Sequence, residues 1–295
     1  SRLWIPLLIV SFMGGGVSFA QGADRRIDLA VDGGSAVNFG TRVALLIGNA
    51  NYQGITPLTN PPNDVRVFAE ALRKCGFDVM VRLDADKRGM DESLHDFYDK
   101  IKGADAALFY YSGHGMQING DNYLVPVTAK IDKEISVKYE CYLAQQVVDY
   151  MEEAKAKANI VILDACRNNP FKRSVRAIGD GLAEMKSRGQ VLIAYATDPD
   201  KTAADGEAGS NSPFMRHVIK NIHTPGLEVE LMFKRVCKGV VQESGDQQRS
   251  WINSCLTNEF CFLPSGAPVP AISPVQKPDL TSVVTPSQPD VPPTV

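Results

Sequence analysis

Three things are scarce in this 295-residue sequence, and each scarcity closes off a class of function. Excess positive charge is missing: 31 Lys and Arg stand against 34 Asp and Glu, a balance of −3, and no run of basic residues stands out. Such a chain gives no reason to expect a nucleic-acid partner. Phosphate-binding glycine patterns are missing too. Neither Gly-x-Gly-x-x-Gly nor a phosphate loop follows the first apolar run at residues 42–48, where a nucleotide-binding sheet would carry one. Histidine is limited to four residues, and no spacing matches a zinc site; His95, His217 and His223 read as surface or half-buried side chains on helices. No acidic loop carries a recognisable calcium pattern, and no internal repeat is present. The sequence therefore calls for no metal and no cofactor; it gives calcium activation no support and leaves it open.

What is present is apolar and patterned. Hydrophobic residues make up 44% of the chain, ample for a core. Residues 159–166, Asn-Ile-Val-Ile-Leu-Asp-Ala-Cys, form a run without polar alternation, which predicts a strand buried on both faces of a parallel sheet. A second such run, Ala106 to Tyr111, ends at Ser112-Gly113-His114-Gly115. Further strands are expected at 42–48, 77–83 and 190–196, with an edge piece at 123–127 and a closing strand at 256–263. Helices are expected from Pro61 to Gly76, over Met90–Ile101, 143–157 and 227–242, and from Pro213 to Ile222 behind a Ser212 cap. Strands alternating with helices predict one doubly wound α/β domain over residues 41–263, a mostly parallel sheet of about six strands with helices on both faces.

The two ends differ in kind. Residues 1–20 read as an export signal, with an apolar stretch after Arg2 and small residues around Ser18-Phe19-Ala20; the other reading is a membrane anchor, which Gly14-Gly15-Gly16 interrupts. Export implies a periplasmic or extracellular protein with no stable membrane span once the signal is removed. Residues 21–40 form a Gly, Asp, Asn and Ser rich linker. Nine of the 18 prolines lie in residues 264–295, a tail that cannot bury a core, is expected to be disordered, and could engage a partner. Among six cysteines, Cys237, Cys255 and Cys261 lie close enough in sequence for one disulfide to be expected in an oxidising compartment, while Cys75 and Cys141 read as core residues.

Ligands in open α/β sheets bind beyond the carboxyl ends of the strands, so His114 and Cys166 would meet at one edge if their strands are neighbours. A thiol attacks a carbonyl as thiolate; an adjacent imidazole favours that form and can then protonate the leaving amine. The amides of Gly115 and Cys166 are the expected oxyanion donors. Either residue alone would more often be a loop histidine or a buried thiol, but the two at matching strand ends point to a cysteine peptidase.

At these residues the chain resembles the caspase-like peptidases, and within them the bacterial metacaspase or orthocaspase branch. The likeness rests on Tyr-Ser-Gly-His-Gly at 111–115 and Asp-Ala-Cys-Arg-Asn at 164–168, 52 residues separating His114 from Cys166, and extends from about Arg42 to Leu263. It departs from the animal caspase pattern in Asp164, where Gln stands, and Asn168, where Gly stands. The resemblance implies a caspase-like three-layer sandwich. It also implies a pocket floored by Asp164 and by Asp64 in Pro-Pro-Asn-Asp, two acids that select Arg or Lys before the scissile bond; the plainer role for Asp64 is to cap its helix. Tyr195, Ala196 and Thr197 resemble the segment on which substrate backbone lies, though a packed tyrosine at a strand end would look the same. The stretch 167–190, with Lys172, Arg173, Arg176, Lys186 and Arg188, resembles the linker at which such enzymes cut themselves. Two other readings stay open: a catalytically idle caspase-like scaffold, and a related asparaginyl or gingipain-like specificity.

Overall fold

The computed structural model describes residues 38–166, 182–198, 207 and 209–270, the side chain of Cys166 excepted. The expected signal, most of the linker, the tail from residue 271, and Lys172, Arg173 and Arg176 lie outside these residues.

In chain order the elements are β1 (Arg42–Gly48), α1 (Pro61–Lys74), β2 (Phe77–Leu83), α2 (Lys87–Ile101), β3 (Ala106–Ile118), β4 (Asp121–Leu124), α3 (Glu134–Glu140), β5 (Tyr142–Leu143), α4 (Ala144–Ala154), β6 (Asn159–Cys166), β7 (Val191–Tyr195), α5 (Pro213–Ile222), α6 (Val229–Ser244) and β8 (Trp251–Ser254). The main sheet runs β2-β1-β3-β6-β7-β8, parallel except for antiparallel β8. Strand alternation splits the core into two layers. Leu46, Leu108, Tyr110, Ile160 and Ile162 pack on α1, α5 and α6, whereas Leu45, Phe109, Tyr111, Val161 and Leu163 pack on α2 and α4. The runs at 106–111 and 159–166 lack polar alternation because both of their faces are covered.

Three expectations are corrected, and one excursion was unforeseen. The third strand does not stop before His114; β3 continues to Ile118, pairing first with β6 and then, beyond the edge of that partner, with β4. The closing strand is Trp251–Ser254 and not 256–263. In the latter stretch Phe260 and Phe262 turn to the far end of the sheet, near Phe77, and a single bridge, Glu228 to Cys261, remains of the expected pairing. The excursion α3–β5 was not foreseen: its short apolar pattern serves a small separate cluster around Tyr52, Met116, Val125 and Val137. Cys237, Cys255 and Cys261 are free thiols, as are Cys75 and Cys141.

The start of β1 is locked to the C-terminal part of the domain by Arg42. Its Nη1 donates to the carbonyls of Cys75 (3.2 Å) and Phe262 (2.7 Å), and its guanidinium lies 5.1 to 5.7 Å from the ring centres of Phe39, Phe77 and Phe260. Arg42→Ala removes these together and should cost roughly 2–4 kcal/mol. For a domain of this size that lowers the thermal midpoint by about 5–15 °C. A calorimetric scan showing no change would refute the lock.

Candidate active site

The parallel register of β3 and β6 sets Ser112 opposite Asp164, Gly113 opposite Ala165 and His114 opposite Cys166. Neighbouring strands lie about 4.8 Å apart, so the last residue of β6 stands beside the histidine. Both glycines of the Ser-Gly-His-Gly segment are steric necessities. A Cβ on Gly113 would come within 2.6 Å of the Tyr52 hydroxyl and 2.7 Å of that of Tyr111; one on Gly115 would come within 2.9 Å of the Ala165 Cβ.

His114 is 4% exposed and held at several points. Its Nε2 lies 2.9 Å from the carbonyl oxygen of Thr56, which can only accept, so Nε2 carries a proton and Nδ1 is the basic nitrogen of the neutral ring. Its amide donates to the Tyr52 hydroxyl at 2.7 Å, and the Tyr52 ring leans on the imidazole at 4.6 Å. Its carbonyl accepts from Val125 N and from the Tyr111 hydroxyl. The Val125 bond makes Gly115 and Leu124 the pair in the β3–β4 ladder that exchanges no bonds, which turns the Gly115 N–H away from β4. That is the direction an oxyanion donor needs.

Asp64 and Asp164 converge although exactly a hundred residues part them. Asp64 is fully buried in the first turn of α1, and Asp164 is 5% exposed in β6. Ser212 joins them: its amide donates to Asp64 Oδ1 at 3.1 Å and its hydroxyl to Asp164 Oδ2 at 2.6 Å. Asn211 adds a bond to Asp64 at 2.8 Å, and the Tyr110 hydroxyl adds a long one to Asp164 at 3.3 Å. Burial first, then the charges of Asp164 and Asp64, hold the Tyr110 phenol well above its usual range, so it stays a neutral donor. Asp64 does not cap its helix; Asn60 occupies the cap position, and its side chain instead donates to the Glu207 carbonyl and accepts from the Gly209 amide. The donors described here, Ser212, Asn211 and Tyr110, are neutral.

Other expected residues fare differently. The Ala196 backbone is already engaged within the fold: its amide donates to the Leu163 carbonyl and its carbonyl accepts from the Gln248 side chain. Tyr195 is buried, stacked on Trp251 at 4.5 Å, and accepts from the Met185 amide. β7 is not an edge there, since it pairs with β6 on one side and β8 on the other, and Thr197 just beyond it is fully buried. Lys186 and Arg188 are exposed, yet their backbone is clamped: Gln145 donates to the Lys186 carbonyl, and the Arg188 and Gly189 amides donate to Glu152. A peptidase needs detached, extended chain, so this part of the stretch is a poor place to cut. His95 is exposed, and His217 and His223 are half-buried, as expected. Among the described residues no three His, Cys, Asp or Glu side chains are grouped to hold a metal ion, and no helix is long and apolar enough to cross a membrane.

Sequence reasoning missed Tyr52, Thr56, Asn211 and Ser212. Thr56 acts through its carbonyl and has no side-chain signal. Ser212 was read as a cap, which it is, donating elsewhere while it accepts from Met215 N at 3.0 Å. An aromatic in the polar loop after β1 was the one available hint of Tyr52.

The profile of the caspase domain matches residues 41–261. The mucosa-associated lymphoid tissue lymphoma translocation protein 1 of Homo sapiens is 31% identical over 156 residues, and its Mus musculus homolog 30% over 156. Each match takes in 53% of this chain but 18% of the relative, so the chain spans under a fifth of the length of these curated relatives. The crystal structure of caspase-1 from Spodoptera frugiperda superposes with a TM-score of 0.56 at 18% identity, over 77% of this chain and 92% of that one. At that identity the likeness speaks for the fold, which is caspase-like.

Proposed function

Because the chain belongs to the caspase domain family, we propose that it is a cysteine endopeptidase with a His114–Cys166 dyad that cuts after Arg or Lys. The observation that carries the reading is the β3–β6 register, which sets the two residues side by side at the carboxyl ends of adjacent strands. Thr56 holds His114 so that Nδ1 can take the thiol proton. The thiolate attacks the scissile carbonyl; the new C–S bond leaves an oxyanion to the amides of Gly115 and Cys166. As the C–N bond breaks, the imidazolium returns its proton to the leaving amine, and water then hydrolyses the thioester with His114 again as base.

Asp64 and Asp164 supply the specificity. Two buried carboxylates pair a guanidinium or ammonium and repel an acidic side chain. Self-cleavage is assigned to Lys172, Arg173 or Arg176 and not to clamped Lys186 or Arg188.

The test is a panel of fluorogenic peptides ending in Arg, Lys, Asn or Asp, run with wild type and Cys166→Ala. Arg and Lys substrates should be cut at least about a hundredfold faster than Asp, and Cys166→Ala should be silent. Cleavage of none of the four would sink the peptidase reading; preference for Asn would sink the pocket.

A further inference from the structure

We infer that Tyr52 is a positioning residue for His114, and that Asp84 latches the loop through which it works; this rests on the peptidase reading above. The Tyr52 and Tyr111 hydroxyls lie 3.3 Å apart and bracket the histidine's main chain. His114 N–H donates to Tyr52, the Tyr52 O–H donates to Tyr111, and Tyr111 donates to the His114 carbonyl at 2.8 Å, with the Val125 carbonyl 3.0 Å away. This closed ring replaces the ladder bond that β3 gives up as it passes from β6 to β4, and it is why position 113 has room for no side chain.

The loop after β1 thus grips His114 twice, at the amide through Tyr52 and at Nε2 through the Thr56 carbonyl. What holds the loop is Asp84, at the end of β2. Its Oδ1 accepts from the amides of Ala50 and Asn51, both at 2.9 Å, and its Oδ2 from the Asn51 side chain at 2.5 Å. Asp84 sits at φ 51°, a left-handed conformation uncommon for L side chains but one that aspartate tolerates better than most. Gln53 N to Val127 and Leu58 N to Ala50 close the rest of the loop. Without the latch, both grips on the imidazole loosen together.

Tyr52→Phe keeps the ring against the imidazole and leaves the His114 amide unpaired. A dyad out of alignment stabilises the Cys166 thiolate less, so the thiol's titration moves up. The measurement is the rate of alkylation of Cys166 by iodoacetamide against pH, read by mass spectrometry on the Cys166 peptide. Cys75 and Cys141 stay silent, since burial pushes both thiols up to about 12. The alkylation midpoint should rise by about 0.5–1 pH unit toward the free-thiol value, and kcat on an Arg peptide should fall about tenfold with KM unchanged. Asp84→Ala, which touches neither His114 nor substrate, should move the midpoint the same way, and Asp84→Asn, which keeps Oδ1, should restore most of it. A residue that only stabilises the fold would change the melting temperature and leave the midpoint alone. An unmoved midpoint in both Tyr52→Phe and Asp84→Ala overturns the inference, whichever of them is well folded. A wild type that hydrolyses no peptide counts against the peptidase reading, while the alkylation midpoint still decides this one.

Discussion

Asp164→Asn should lose about 100- to 1000-fold in kcat/KM on Arg peptides while its thermal midpoint rises. Breaking one partner of a buried ion pair costs about 3–5 kcal/mol, and here that cost falls on the bound substrate. The folded protein without substrate has the opposite interest. Asp64 and Asp164 are bonded to the two ends of one serine and sit against one phenol, so two acidic groups share one buried space, a cost to the folded chain that one neutral amide would ease. Asparagine keeps an oxygen for the Ser212 hydroxyl and the Tyr110 hydroxyl and removes one of those acids. Each 1 kcal/mol so recovered lifts the midpoint by about 2–4 °C. Opposite signs in the two measurements mark a carboxylate kept for its substrate. A variant that keeps its Arg activity, or loses activity and stability together, refutes the pocket.

His114→Ala should cost about 10³- to 10⁴-fold in kcat with the fold intact, since acid–base catalysis and thiolate formation fail together. The imidazole stands in the register of Cys166, so its removal should also return the Cys166 alkylation midpoint to about 8.5. Loss of turnover without that shift would mean that His114 supports the site from a distance. His114→Gln would not rescue turnover, because an amide can donate to the Thr56 carbonyl but cannot take up the thiol proton as Nδ1 does.

The parts of this protein that could be read from the chain are those whose pattern is local. An unbroken β-branched run announces a strand with two covered faces, and 106–111 and 159–166 became the central pair β3 and β6. Ser212-Pro213 announces a helix start, and α5 begins there. The His-Gly and Asp-Ala-Cys segments carried the proposed dyad and, with Pro-Pro-Asn-Asp, the two acids of the proposed pocket. The closing strand was misplaced because Leu256 to Leu263 is as apolar as a strand; only packing could send Phe260 and Phe262 to Arg42 and give the sheet edge to Trp251–Ser254.

By itself, then, the sequence determined the layered α/β architecture and the residue types of the site, since periodicity and motif are properties of neighbours along the chain. The tertiary structure alone decided which backbone groups are free to work. It spent the Ala196 amide and carbonyl, freed the Gly115 N–H, enlisted the Thr56 carbonyl, and brought Tyr52, Asp84 and Ser212 to residues many tens of positions away. Hydrogen bonds join whatever the fold makes adjacent, and no spacing along a chain records them.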